Sequence, residues 1–109
     1  MPDDLARSLA VTEMDDGLAF SGEIDCDSVR VLGPMLDPLP GDAAEVRLDL
    51  AAVTFIDSSG LRLLIQAHQR AETSGRSLVL ERPSPSVARL LDISGLRDHL
   101  IIRDDFVDG

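Results

Sequence analysis

The segment Thr54-Phe55-Ile56-Asp57-Ser58-Ser59-Gly60-Leu61 constrains the fold most, because an apolar strand there turns into a helix. Before it, Val46-Arg47-Leu48-Asp49-Leu50 alternates apolar with charged residues, as a half-buried strand does. After it, Leu61, Leu64, Ile65, Ala67 and Ala71 fall at the spacing of one broad helical face. Two hydroxyls and a carboxylate therefore sit at the junction. In one reading Asp57 or Ser58 is an ordinary N-cap, contributing about 1 kcal/mol to helix stability. In the other, exposed serines stand beside free backbone N–H groups, where the helix dipole welcomes an anion such as phosphate. Asp57 to Gly60 alone do not decide between the two.

The rest of the chain supplies the framework. Leu9 to Met14 and Leu18 to Ser21 are short apolar runs around Asp15-Asp16-Gly17, a strong hairpin signal. Gly22-Glu23-Ile24-Asp25 then leaves the second strand, and Asp25 or Asp27 is placed to cap a helix through Val29 and Leu32. Gly33-Pro34 makes that helix short or kinked, since proline removes a hydrogen bond and clashes with the preceding turn. Asp37 to Asp42 is a proline-stiffened loop.

Beyond the junction, Ser74-Gly75 ends the long helix and Ser77 to Glu81 is the next strand. Ser84-Pro85 starts another helix, with Val87, Leu90 and Leu91 on one face and Gly95 closing it. Leu100-Ile101-Ile102 is a last short strand. Strands first and then strands alternating with helices favour an α/β fold, a mixed β-sheet with α-helices packed against it. The 109 residues make a single domain, 1–109, with a core over about 8–103 and a short acidic tail, 104–109.

Composition narrows the function. At 44% hydrophobic and 28% charged, the chain is that of a folded globular domain. No apolar run approaches the roughly 20 residues that cross a bilayer, and the acidic start Met1-Pro2-Asp3-Asp4 is unlike a signal peptide. Cytoplasmic residence without membrane insertion is the expectation. The net charge of -10 repels nucleic acid and anionic lipid. All ten basic residues are arginine, so a lysine-dependent phosphate loop and Schiff-base chemistry are excluded.

Catalytic constellations are equally thin. Gly-x-Ser-x-Gly is absent, and the two histidines read as structural (His68, mid-helix) and as surface (His99, near a turn). One cysteine and two separated histidines do not give zinc-ligand spacing. Asp3-Asp4, Asp15-Asp16 and Asp104-Asp105 read as solvated surface, and Cys26 as a small packing residue. The expectation is a protein that is not an enzyme and has no catalytic residues, metal or cofactor.

Three segments resemble the STAS domain family, in particular its single-domain bacterial anti-sigma factor antagonists. Gly22-Glu23-Ile24-Asp25 is similar to the Gly-Glu-Leu-Asp after the second family strand. Leu48-Asp49-Leu50 through Leu61 is similar to the phosphorylation-site segment, and Ser84 through Leu96 to the third-helix signature. The resemblance covers nearly the whole chain. It implies a STAS-type sheet and a role in partner switching. The unphosphorylated antagonist would bind an anti-sigma factor with serine-kinase activity and free the sigma factor. Phosphorylation on the first hydroxyl after the aspartate, here Ser58, would block this. A PP2C-type serine phosphatase would reset the cycle, with ATP and Mg²⁺ bound by the kinase.

By the same resemblance, Asp25 either helps present Ser58 or caps its own helix. Asp57 orders the strand–helix turn, Ser59 caps or contacts the partner, Gly60 permits close backbone approach, and Leu61 extends the partner surface. Gly33-Pro34 departs from the family pattern by falling inside its first helix, and the chain ends where many antagonists carry a further helix. The alternative role is a STAS scaffold, a stressosome-like component or an accessory subunit of a membrane transporter.

Overall fold

The computed structural model describes residues 9–104, so Asp3-Asp4 and residues 105–109 of the expected tail lie outside the described residues. β1 (Leu9–Met14) and β2 (Gly17–Ile24) form the expected antiparallel hairpin, with Met14 paired to Gly17. Gly17 serves the sheet as well as the turn. A Cβ there would collide with the Arg47 carbonyl, so its bareness lets the next strand close against the hairpin. The Arg47 N–H donates to the Asp16 carbonyl oxygen at 2.8 Å.

Gly22-Glu23-Ile24 stays in β2 instead of leaving it. Two register shifts, at Ala19/Ser21 and at Gly22/Glu23, keep the strand paired. Gly22 adopts φ 109°, a conformation open to glycine and suited to such an irregularity. Helix α1 (Val29–Met35) is seven residues long with Pro34 inside it, as Gly33-Pro34 predicts. Its N-cap position is Ser28 rather than either aspartate.

β3 (Glu45–Ile56) is longer than the Val46 to Leu50 expected. Buried positions run 46, 48, 50 and then 53, 56, so the two-residue alternation breaks where β2 and β3 shift register. α2 (Ser58–Thr73) buries Leu61, Leu64, Ala67, His68 and Ala71 along one stripe and stops before Gly75, at φ 76°. β4 (Ser77–Glu81) and α3 (Pro85–Ser94) follow as expected. The Ser84 hydroxyl accepts from the Val87 N–H at 3.3 Å, and Gly95 ends the helix at φ 74°. A single 3₁₀ turn (Arg97–His99) leads into β5 (Ile101–Arg103).

The sheet order is β1-β2-β3-β4-β5, parallel from β2 onward. Each parallel step passes through one helix and moves the same way across the sheet. Right-handed crossovers then put α1, α2 and α3 side by side on one face. Phe20, Ile24, Leu32, Leu48, Leu50, Leu64 and Leu91 fill the layer between. No helix among the described residues is long and apolar enough to cross a membrane.

The other face of the sheet is covered by ion pairs. Arg47 reaches Asp16 and Glu81, each at 3.0 Å, while Arg103 reaches Glu45 at 2.8 Å and Glu81 at 3.2 Å. Arg82 pairs with Asp49. Beneath them Val79, in register with Arg47 and Ile101, is buried apart from the main core. The Arg103 guanidinium beside Glu45 holds that carboxyl below its ordinary range.

His68 is buried with its Nε2 3.3 Å from Glu72, and His99 is exposed in the 3₁₀ turn. Cys26 corrects its expectation, being exposed in the turn between β2 and α1. Ile24 and Ser28 take the inward places on either side of it.

Candidate functional site

The strand–helix junction is built around Asp57. Its backbone is extended (φ -110°, ψ -173°), and its N–H donates to the Ile24 carbonyl oxygen at 3.2 Å. Its Oδ1 accepts from the N–H groups of Ser59 at 2.9 Å and Gly60 at 3.1 Å. Asp57 is thus the cap, and Ser58 is released from capping to become the first helical residue, with an exposed side chain. One expectation changes here. The amides of Ser59 and Gly60 are not free for an anion, because the carboxylate of Asp57 already holds them.

Gly60 is where close approach is required. A Cβ there would meet Ile24 Cγ2 at 2.7 Å, the Ile24 carbonyl oxygen at 2.8 Å and Ile56 Cγ1 at 2.9 Å. The bare glycine seats the first turn of α2 on the ends of β2 and β3. Ser59 is half-buried beside it.

Asp25 follows Ile24 and orders its own turn. Its Oδ1 accepts from the N–H groups of Ser28 at 2.9 Å and Asp27 at 3.1 Å, and lies 2.9 Å from the Ser28 hydroxyl. Ser28's amide and hydroxyl hold the Asp25 carboxyl below its ordinary range. Among the described residues its hydrogen bonds all lie within this turn. Ile24 connects the two turns, since it precedes Asp25, receives the Asp57 N–H and packs on Gly60.

Leu61 is 4% exposed and belongs to the core, and the edge it leaves uncovered lines the apolar groove between α2 and α3 beside Ser58. The stripe that marked it as helical is the stripe facing the sheet.

Ser58 borders two open grooves. One, of about 410 Å³, lies between α1 and α2 and takes in Val29, Gly33, Ser59, Arg62 and Gln66. The other, of about 320 Å³, lies between α2 and α3 and is largely apolar, with Ile65, Leu90 and Leu96. A third groove of about 500 Å³ joins the end of β3 to α3, where Phe55 is 47% and Ile93 75% exposed. The sequence reading passed over Arg62, Phe55 and Ile93. Spacing could have found Arg62, four residues after Ser58 and so on the same helical face. Nothing local marks Phe55 or Ile93 as exposed, because both sit in apolar patterns.

Fold and junction together define an α/β domain that presents a serine at the start of its middle helix. The chain belongs to the STAS domain family: the family model described as "Mlab, STAS domain" matches residues 5–103. It is 38% identical over 86 residues to the anti-sigma-B factor antagonist of Bacillus subtilis (strain 168), covering 79% of each chain. Against the anti-sigma-B factor antagonist of Staphylococcus epidermidis it is 30% identical over 84 residues, 76% of this chain and 78% of the relative.

Solved structures share the fold. An anti-sigma factor antagonist from Mycobacterium paratuberculosis superposes with a TM-score of 0.74 at 22% identity, over 90% of this chain and 86% of that one. The anti-sigma factor antagonist SpoIIAA in its unphosphorylated form gives 0.63 at 20% identity, over 86% of each chain.

Proposed function

We propose that this chain is an anti-sigma factor antagonist acting by partner switching. In its unphosphorylated form it binds an anti-sigma factor that is also a serine kinase, and the sigma factor is released. The kinase transfers the γ-phosphoryl group of its bound ATP to Ser58. The Ser58 Oγ–phosphorus bond forms as the bond to the ADP oxygen breaks, and the hydroxyl proton is lost. A PP2C-type phosphatase hydrolyses the ester and restores the free serine. The observation that carries this reading is the exposed Ser58 hydroxyl at the first turn of α2, freed from capping by Asp57.

The switch works at the interface. Phosphorylation adds about -1.5 to -2 charges, placed beside a carboxylate that stays where it is. The fold has no reason to come apart, since Ser58 is exposed and its hydroxyl makes no hydrogen bond among the described residues. A partner surface pressed on Ser58 would instead meet that charge, and juxtaposed like charges cost several kcal/mol. A loss of about 3 kcal/mol weakens binding more than about a hundredfold. Phe55 and Ile93 supply exposed apolar area on the neighbouring groove for the same contact.

Calorimetric titration of the anti-sigma kinase with four forms of the chain (wild type, Ser58→Ala, Ser58→Asp and the phosphorylated chain) tests this. Wild type and Ser58→Ala should bind alike, and Ser58→Asp should bind at least about tenfold more weakly, the effect of about 1.4 kcal/mol. Wild-type affinity retained by both Ser58→Asp and the phosphorylated chain would sink the interface-repulsion mechanism.

A further inference from the structure

We infer that Arg62 is the internal receptor for a phosphoryl group on Ser58, its guanidinium pairing with the phosphate across one turn of α2. The inference rests on the phosphorylation proposed above. Residues four apart on a helix are surface neighbours, with Cβ atoms about 5–6 Å apart. Long helical side chains lean toward the N-terminus, so that of Arg62 lies over the turn Ser58 begins. Both residues line the groove toward α1 and the groove toward α3, and among the described residues Arg62 is the one charged residue lining either.

The phosphate needs such a partner. Its natural donors at the helix start, the amides of Ser59 and Gly60, are held by Asp57 at 2.9 and 3.1 Å. The same Asp57 puts a carboxylate next to the modified side chain. On the α1 side the groove offers Val29 and Gly33, neither of them charged. Arg62 is also uncommitted. Arg47, Arg70, Arg82, Arg97 and Arg103 stand beside carboxylates, whereas Arg62, like Arg30 and Arg89, makes no ion pair or hydrogen bond among the described residues, and of these three it alone shares both grooves with Ser58. A guanidinium matches phosphate geometry with paired N–H donors.

Two changes at the partner surface then come from one modification. Negative charge is added at Ser58, and a free guanidinium is withdrawn from the same pair of grooves. A partner carboxylate that meets Arg62 in the unmodified chain loses its counter-ion when the phosphate arrives.

The test places phosphoserine at position 58 during translation, so that no kinase is needed, and follows its second ionisation by phosphorus NMR. In the otherwise wild-type chain this ionisation should fall below the ordinary value of about 6, because a nearby cation favours the dianion. Arg62→Gln should raise it by about 0.5 or more, Arg62→Lys should fall between, and Arg89→Gln on α3 should leave it unchanged. Identical titrations in wild type and Arg62→Gln, both folded by circular dichroism, would overturn the assignment. A second arm offers the unmodified chain to the kinase with Mg-ATP. No transfer there, with the NMR difference intact, would sink Ser58 phosphorylation while leaving the Arg62 pairing in place.

Discussion

Gly60 shows how much of the site depends on a side chain that is missing. Ile24 and Ile56 already occupy the space a methyl group would take, and the Ile24 carbonyl oxygen is backbone that cannot swing aside. Gly60→Ala is expected to destabilise the chain by about 1–3 kcal/mol through overpacking, read as a lower denaturant midpoint at unchanged slope. It should also weaken kinase binding, because the turn carrying Ser58 shifts with it. At this scale the sequence was partly legible. The capping and functional readings of Asp57-Ser58 competed as strings of letters, yet Asp57 takes the cap and leaves Ser58 free. The burial of Leu61 was not legible, because an apolar residue next to a site reads equally well as surface or core, and only the direction of the stripe decides.

Among the elements, those with their own punctuation were readable. The hairpin around Asp15-Asp16, the Ser84-Pro85 start and Gly95 end of α3, and the shortness of α1 at Gly33-Pro34 all follow from local turn and cap chemistry. β2 and β3 were read too short. Their irregularities are shared between strands, so the break in alternation after Leu50 makes sense only beside the shift at Ala19/Ser21. The ion pairs on the outer face were hidden for the same reason, since Arg103, Glu45 and Glu81 meet only through register.

Those pairs carry a pH dependence. Glu45, facing Arg103 first of all, ionises more readily folded than unfolded, and so does Asp25 through Ser28. A depressed folded value gives stability that is complete above the unfolded value and lost as pH falls through the folded one. The loss is therefore expected below about pH 4, near the unperturbed carboxylate range. Melting temperatures between pH 7 and pH 3 should fall less steeply for Glu45→Gln than for wild type, from a lower start at pH 7. Parallel profiles would show that this pair contributes no linkage.

For the molecule as a whole, one arrangement separates structure from recognition. Helices cover one face of the sheet, and arginine–carboxylate pairs cover the other. Ser58 stands at the head of the middle helix with a groove on each side. A net charge of -10 leaves the surface poorly suited to nucleic acid. Fold class was legible because element order restricts how strands and helices can layer. The grooves were not, since each is made by two elements distant in sequence.

Phosphate transfer to Ser58 is the claim on which the switch stands. Wild type and Ser58→Ala should be incubated with the histidine-kinase-fold anti-sigma factors of the source genome and Mg-ATP, then compared by intact mass and peptide mapping. One added phosphate, mapped to Ser58 and absent from Ser58→Ala, is the expected result. No phosphate from any such kinase onto the folded chain, or phosphate that persists in Ser58→Ala, would contradict it.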